Sequence, residues 1–155
     1  MQLIHNMTTI EKISWSDSML VGFKPMDDEH IAFVEMIERM QNAAADDLPM
    51  LLDQFADVAH SHFDSENKMM EETQFPPRQC HIDEHMAVLN SVTEVRELLA
   101  KGHFNIGASL VNELAKWFPG HITHLDSALS HWICKQQLGG KPVVIKRSLN
   151  VHPRI

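Results

Sequence analysis

Four times along this chain apolar residues recur at alternating spacings of three and four, and each run stops at a helix breaker. That period is the signature of an amphipathic helix, and the runs are too long for strands. The first run follows Asp27-Asp28, read as capping acids, and extends to about Ala44 with His30, Phe33, Ile37 and Met40 on one stripe. The second opens at Asp46-Asp47-Leu48-Pro49 and carries Leu52, Phe55, Ala59, His62, Glu66 and Met69, until Pro76-Pro77 separates it from the third. The third spans about Arg78 to Lys101, with His81, His85, Val88, Val92, Val95 and Leu99, and Gly102 is its C-cap. The fourth begins near Asn105 and carries Leu110, Leu114, Trp117, His121 and Ala128 before Gly139-Gly140. Pro119-Gly120 lies inside it and predicts a kink or a late helix start. Four such helices on short connections predict an all-α, up-down-up-down antiparallel four-helix bundle.

At 155 residues the chain suits one domain with a real core. The bundle is expected over 15–138, between an N-terminal tail (1–14) and a short basic C-terminal tail (139–155). Trp15, Val21 and Phe23 give the stretch before the first helix enough apolar bulk to lie as an arm across the bundle. The formal charge of -8 argues against a nucleic-acid partner. The excess of acid lies before the tail, where Lys141, Lys146, Arg147 and Arg154 stand without an acid. Cys80 and Cys134 fit no metal-ligand spacing and are read as unpaired thiols in a reducing compartment. No stretch approaches a membrane span, so no membrane insertion is expected. The first 30 residues hold no apolar signal core, and the chain is expected to be cytoplasmic.

Eleven histidines are far more than packing requires. His62 is in register with Leu52, Phe55 and Ala59; His81 and His85 open the third stripe; His121 follows Leu114 and Trp117. A buried imidazole needs a partner, and a buried Glu66 needs a cation beside it. His62 and Glu66 are four apart, as are His81 and His85, so each pair points two donor atoms from one helix face. His121 and Asp126 are five apart, about 140° around a helix, which puts Asp126 at the edge of the inward face. His30 adds a donor from the first helix. A lone histidine on an apolar stripe is usually a hydrogen-bonded core residue. Five of them with two acids, spread over four helices, point to metal.

These residues fall into ordered motifs: Trp15-Ser16 with Val21-Gly22-Phe23, Asp27-Asp28-Glu29-His30, His62-Phe63-x-x-Glu66, His81-x-x-x-His85, and Trp117-x-x-x-His121-Ile122-x-x-x-Asp126. Together they resemble the hemerythrin family, in its bacterial single-domain form, over roughly residues 14–135. The resemblance implies two iron ions per chain, with His81, His85 and His121 on one and His30 and His62 on the other. Glu66, Asp126 and an oxo or hydroxo group would bridge them. It further implies reversible dioxygen binding, as a hydroperoxide at the five-coordinate iron, for storage, delivery or scavenging and not for catalysis. Phe118 stands where the family commonly carries a smaller aliphatic residue over the oxygen pocket.

A ferritin-like oxidase would place Glu-x-x-His on two helices, and this chain has no such spacing. A sensor of oxygen, redox state or nitric oxide, and a weak oxidase or peroxidase, are the competing functions. His5, His60, His103, His124, His131 and His152 are read as ordinary surface or packing residues.

Overall fold

A computed structural model describes residues 10–137 as a four-helix bundle, with no strand among those residues. Helix α1 covers Lys24–Gln41, α2 Leu48–Glu72, α3 Arg78–Ala100 and α4 Asn105–His121. A π turn, Ile122–Asp126, joins α4 to α5, Ser127–Gln137, so the fourth arm of the bundle is one interrupted helix. Helix α1 packs against α2 and α4, and α3 packs against the same two, closing a ring around one core. Neighbours run antiparallel. The start of α4 at Gly107 faces the end of α3 at Leu99 and the start of α2 at Leu48. At the other end, the Trp132 indole on α5 donates to the Thr73 carbonyl and hydroxyl just past α2. None of the described helices is long and apolar enough to cross a membrane.

The stripes predicted from sequence do face inwards. Phe33, Ile37, Leu52 and Phe55 are fully buried, each contributing about 1.5–3 kcal/mol of transfer free energy, and Phe63, outside the predicted stripe, is fully buried with them. Phe33 lies 4.2 Å from the ring of Phe118 and 5.0 Å from Phe55, so rings from α1, α2 and α4 share one cluster. Val88, Leu110 and Met69 sit at the edges of their stripes, half-buried, and Met70 takes the inward place beside Met69.

The expected ends need correction. Helix α1 starts before Asp27-Asp28, at Lys24, with Pro25 in its first turn where the missing N–H costs nothing. Asp27 instead accepts from the Val21 and Gly22 N–H groups (2.8 and 3.2 Å), fastening the incoming arm. The arm is docked as expected: Ile13 and Val21 are buried, Trp15 and Phe23 half-buried against the core. The Ser130 hydroxyl on α5 donates to the Val21 carbonyl at 2.8 Å.

Helix α2 stops before the prolines, through a backbone motif in which Phe75 N–H donates to Met70 O and Gln74 N–H to Glu71 O. Gln74 takes the left-handed position (φ 54°) that glycine fills in the corresponding turn after α3 (Gly102, φ 90°). Gly102 thus ends α3 as expected.

The fourth helix neither starts late nor breaks at Pro119; α4 runs through it to His121. The irregularity lies one turn later, in the π turn, which gains one residue over an α turn and shifts the inward register. Ala128, expected on the stripe, is exposed, and Leu129, Ser130 and Ile133 are buried instead. The Gly139-Gly140 terminus and the basic tail lie outside the described residues.

Left-handed backbone costs a non-glycine residue about 1–2 kcal/mol. Gln74→Gly is therefore expected to stabilise the protein by about 1 kcal/mol in urea unfolding. A neutral or destabilising result would show that the Gln74 side chain offsets that cost.

Candidate metal centre

The structure brings all seven predicted residues into one buried cluster. His30 comes from α1, His62 and Glu66 from α2, His81 and His85 from α3, His121 from the end of α4 and Asp126 from the π turn. Each is at most 3% exposed. Two donor sets overlap: Glu66, His81, His85, His121 and Asp126 in one, and His30, His62 and Glu66 in the other. The π turn corrects the angular estimate for Asp126. A five-residue spacing reaches only the edge of the inward face in an α-helix, but in a π turn it brings Asp126 back over His121, with His121 Nε2 3.2 Å from Asp126 Oδ1.

Each carboxylate divides its oxygens between the two sets. Glu66 Oε1 lies 3.2 Å from His30 Nε2 and 3.1 Å from His62 Nε2, while Oε2 lies 3.4 Å from His81 Nε2 and 3.2 Å from His85 Nε2. Asp126 Oδ2 lies 3.0 Å from His30 Nε2, and Oδ1 lies 3.0 Å from His81 Nε2.

His30 Nε2 and Glu66 Oε1 meet as a hydrogen bond at 3.2 Å, but hydrogen bonds do not satisfy the rest of the cluster. Buried His62 Nε2, His81 Nε2, Glu66 Oε2 and both Asp126 oxygens lack an aligned partner. The clearest case is His85 and His121. Their Nδ1 atoms face Asn67 Oδ1 (2.8 Å) and Glu84 Oε1 (2.9 Å), both acceptors, an arrangement that calls for the ring proton on Nδ1 whenever Nε2 is to serve as a metal donor. Their Nε2 lone pairs then face each other at 3.2 Å. Lone pairs converging in an apolar interior repel unless a cation lies between them. The donor set fits a metal ion, and imidazole with carboxylate suits iron.

A second layer was not read from the sequence. Glu29 Oε2 accepts from His62 Nδ1 at 2.9 Å. Glu84 Oε1 accepts from both His121 Nδ1 and the Trp117 indole (2.6 Å), and Asn67 serves His85. Around this layer, Phe63 stacks on His85 at 4.1 Å and Trp117 lies 4.5 Å from His121. Phe118, fully buried, meets His30 edge-on at 5.7 Å. His60, His103, His124 and His131 are exposed, in keeping with their ordinary reading; His5 and His152 lie outside the described residues. Both cysteines are free, Cys80 exposed and Cys134 buried.

Without metal, the carboxylates hold protons on the rings. Burial opposes charge on His30, but hydrogen bonds to Asp126 and Glu66 and their charges override it, raising it to about 9. Burial opposes His62 and His81 likewise. The Glu66 charge with Glu29 lifts His62 to about 10, and Asp126 with Glu66 lifts His81 to about 9. His85 moves down, because burial and two neighbouring histidines outweigh Glu66. Burial works against ionising Glu66 and Asp126 too, yet the surrounding imidazoles hold both well below the usual carboxylate range.

Residues 21–133 match the family model described as the Hemerythrin HHE cation binding domain. A protein named Bacteriohemerythrin from Ralstonia nicotianae is 35% identical over 124 residues, covering 80% of this chain and 90% of the relative. Proteins of the same name from Stenotrophomonas maltophilia and Pseudomonas aeruginosa are 29% and 26% identical, over 74% and 73% of this chain and 76% of each relative. This chain belongs to the hemerythrin family, and its buried histidine and carboxylate cluster is an iron-binding site.

The raised histidines stabilise the metal-free fold below about pH 6.5, and that contribution is lost as pH climbs through their folded values near 9 and 10. The two lowered carboxylates act oppositely, stabilising above about pH 4.5 and losing that effect as pH falls. Urea resistance of the metal-free protein is therefore expected to peak near pH 5–6 and to decline towards pH 10. Metal must displace the same ring protons, so iron binding at pH 7 is expected to release protons into a weak buffer. A flat urea profile together with proton-neutral metal uptake would contradict the charge assignment.

Proposed function

We propose that this chain holds two iron ions and binds dioxygen reversibly, as a carrier or store and not as an enzyme. The observation that carries this reading is the division of each buried carboxylate, one oxygen towards His30 or the His30–His62 pair and the other towards the three-histidine group. His81, His85 and His121 would hold one ion, His30 and His62 the other, and Glu66 and Asp126 both. When bound, the two ions supply the two electrons and the open coordination position that dioxygen binding uses.

The chain's own residues set the asymmetry. The three-histidine side offers five donor atoms, counting one oxygen from each carboxylate, and the two-histidine side offers four. One position more is therefore left for an outside ligand beside His30 and His62. The walls there are Phe33 and Phe118, whose rings lie 5.5 Å from His62 and 5.7 Å from His30. Such walls bring no proton donor and keep water out, which favours release of the ligand intact over its reduction. Five imidazoles against two carboxylates also make a site better suited to reversible binding than to oxygen activation. The two free thiols accord with a reducing cytoplasm.

Optical spectra of the reduced, iron-loaded protein test this directly. A charge-transfer band is expected to appear with dioxygen and to vanish on its removal over repeated cycles. Iron that oxidises once and does not recover would favour the redox-sensor or oxidase alternatives. Phe118→Leu opens space beside His30, so faster oxygen association and faster autoxidation are expected at unchanged iron content. Unaltered kinetics would remove Phe118 from the ligand pocket. His30→Ala is expected to leave a folded bundle that retains the three-histidine ion more firmly than the other, and equal loss of both would contradict the division of donors.

A further inference from the structure

The outer acceptors share a pattern. Glu29, Asn67 and Glu84 each stand one residue from a centre residue on their own helix (His30, Glu66 and His85). A step of one residue turns roughly 100° around a helix, so these side chains point along the seam and not into the centre. Each therefore reaches a histidine on the next helix: Glu29 on α1 serves His62 on α2, Asn67 on α2 serves His85 on α3, and Glu84 on α3 serves His121 on α4.

Glu84 differs from the other two. Its single oxygen Oε1 takes two N–H groups, from the Trp117 indole at 2.6 Å and from His121 Nδ1 at 2.9 Å. Trp117 and His121 are one turn apart on α4, with ring centroids 4.5 Å apart. The Glu84 side chain is 37% exposed, so without the indole it would be free to swing into water. Glu29, comparably exposed, accepts from His62 alone among the described residues.

We infer that Glu84 is a positioning residue that fixes the orientation and donor strength of His121, with Trp117 as its anchor. Through His121 it sets how firmly the three-histidine half retains its metal. The inference rests on the iron-binding reading of the cluster. An Nδ1–H held by a carboxylate keeps Nε2 as the inward lone pair and makes the ring a stronger donor. Because the carboxylate is charged, it also favours the ferric over the ferrous state of an ion on His121.

The test uses the full chain loaded with ferrous iron under anaerobic conditions, as wild type, Glu84→Gln and Glu84→Ala. Release to a ferrous chelator and the midpoint potential of the centre are measured. Glu84→Ala is expected to release half of its iron about 10-fold faster or more, with the other half leaving at the wild-type rate. In Glu84→Gln an amide oxygen can still accept both N–H groups, but the charge is gone. That variant is expected to release the same half at an intermediate rate and to shift the potential upwards, which a purely structural contact would not do. Wild-type release rates and potential in both variants would overturn the inference. A wild-type chain that takes up no iron would instead remove the metal reading. The His121 tautomer, read by nitrogen NMR in the metal-free protein, then decides the role of Glu84. Nδ1–H in wild type and a mixture in Glu84→Ala supports the role, and no difference overturns it.

Discussion

A carboxylate with no solvent exposure cannot remain ionised without a compensating partner, and Glu66 is such a carboxylate at the centre of four helices. Its two oxygens face four histidines on three helices. Asp126 repeats the arrangement from the fourth side, so every arm of the bundle is tied to a charge that none could hold alone. In the metal-free protein protons on His30, His62 and His81 supply the compensation. A metal ion supplies it better, because it also accepts the lone pairs of His85 and His121 that otherwise face each other. Folding and metal binding are thus coupled through the same atoms.

The aromatic residues make that charge arrangement hold. Phe33, Phe55, Phe63 and Phe118 are fully buried and join the cluster to the apolar core, which lowers the local dielectric and sharpens each electrostatic contact. The outer acceptors close the seams between helices by reaching sideways from the residue beside a centre position. The orientation of each ring so held is consequently set by two helices, its own and its neighbour. Only His30 and His81 have buried Nδ1 atoms without a described partner.

Much of this was legible in the sequence because a polar residue on an apolar helical stripe is conspicuous. His62 and Glu66 beside Ala59, and His81 and His85 ahead of Val92, betrayed the site by their register. What escaped did so for geometric reasons. The five-residue spacing of His121 and Asp126 reaches only the edge of the inward face when every turn is taken as α-helical. Only the π turn places them together and displaces Ala128 outwards. Pro119 suggested a kink or a late start, whereas α4 runs through it and the irregularity comes in the π turn that follows. Glu84 and Asn67 look like ordinary seam residues until the rotation of the adjacent helix is known. The left-handed Gln74 was hidden by the prolines just after it.

The central claim is that one buried cluster holds two ions sharing two carboxylates. The most direct measurement is a Mössbauer spectrum of the oxidised protein reconstituted with isotopically enriched iron, taken with an iron count. The account predicts two irons per chain in two inequivalent sites of equal weight, magnetically coupled through their shared bridges. One iron per chain, or two uncoupled sites, would contradict it.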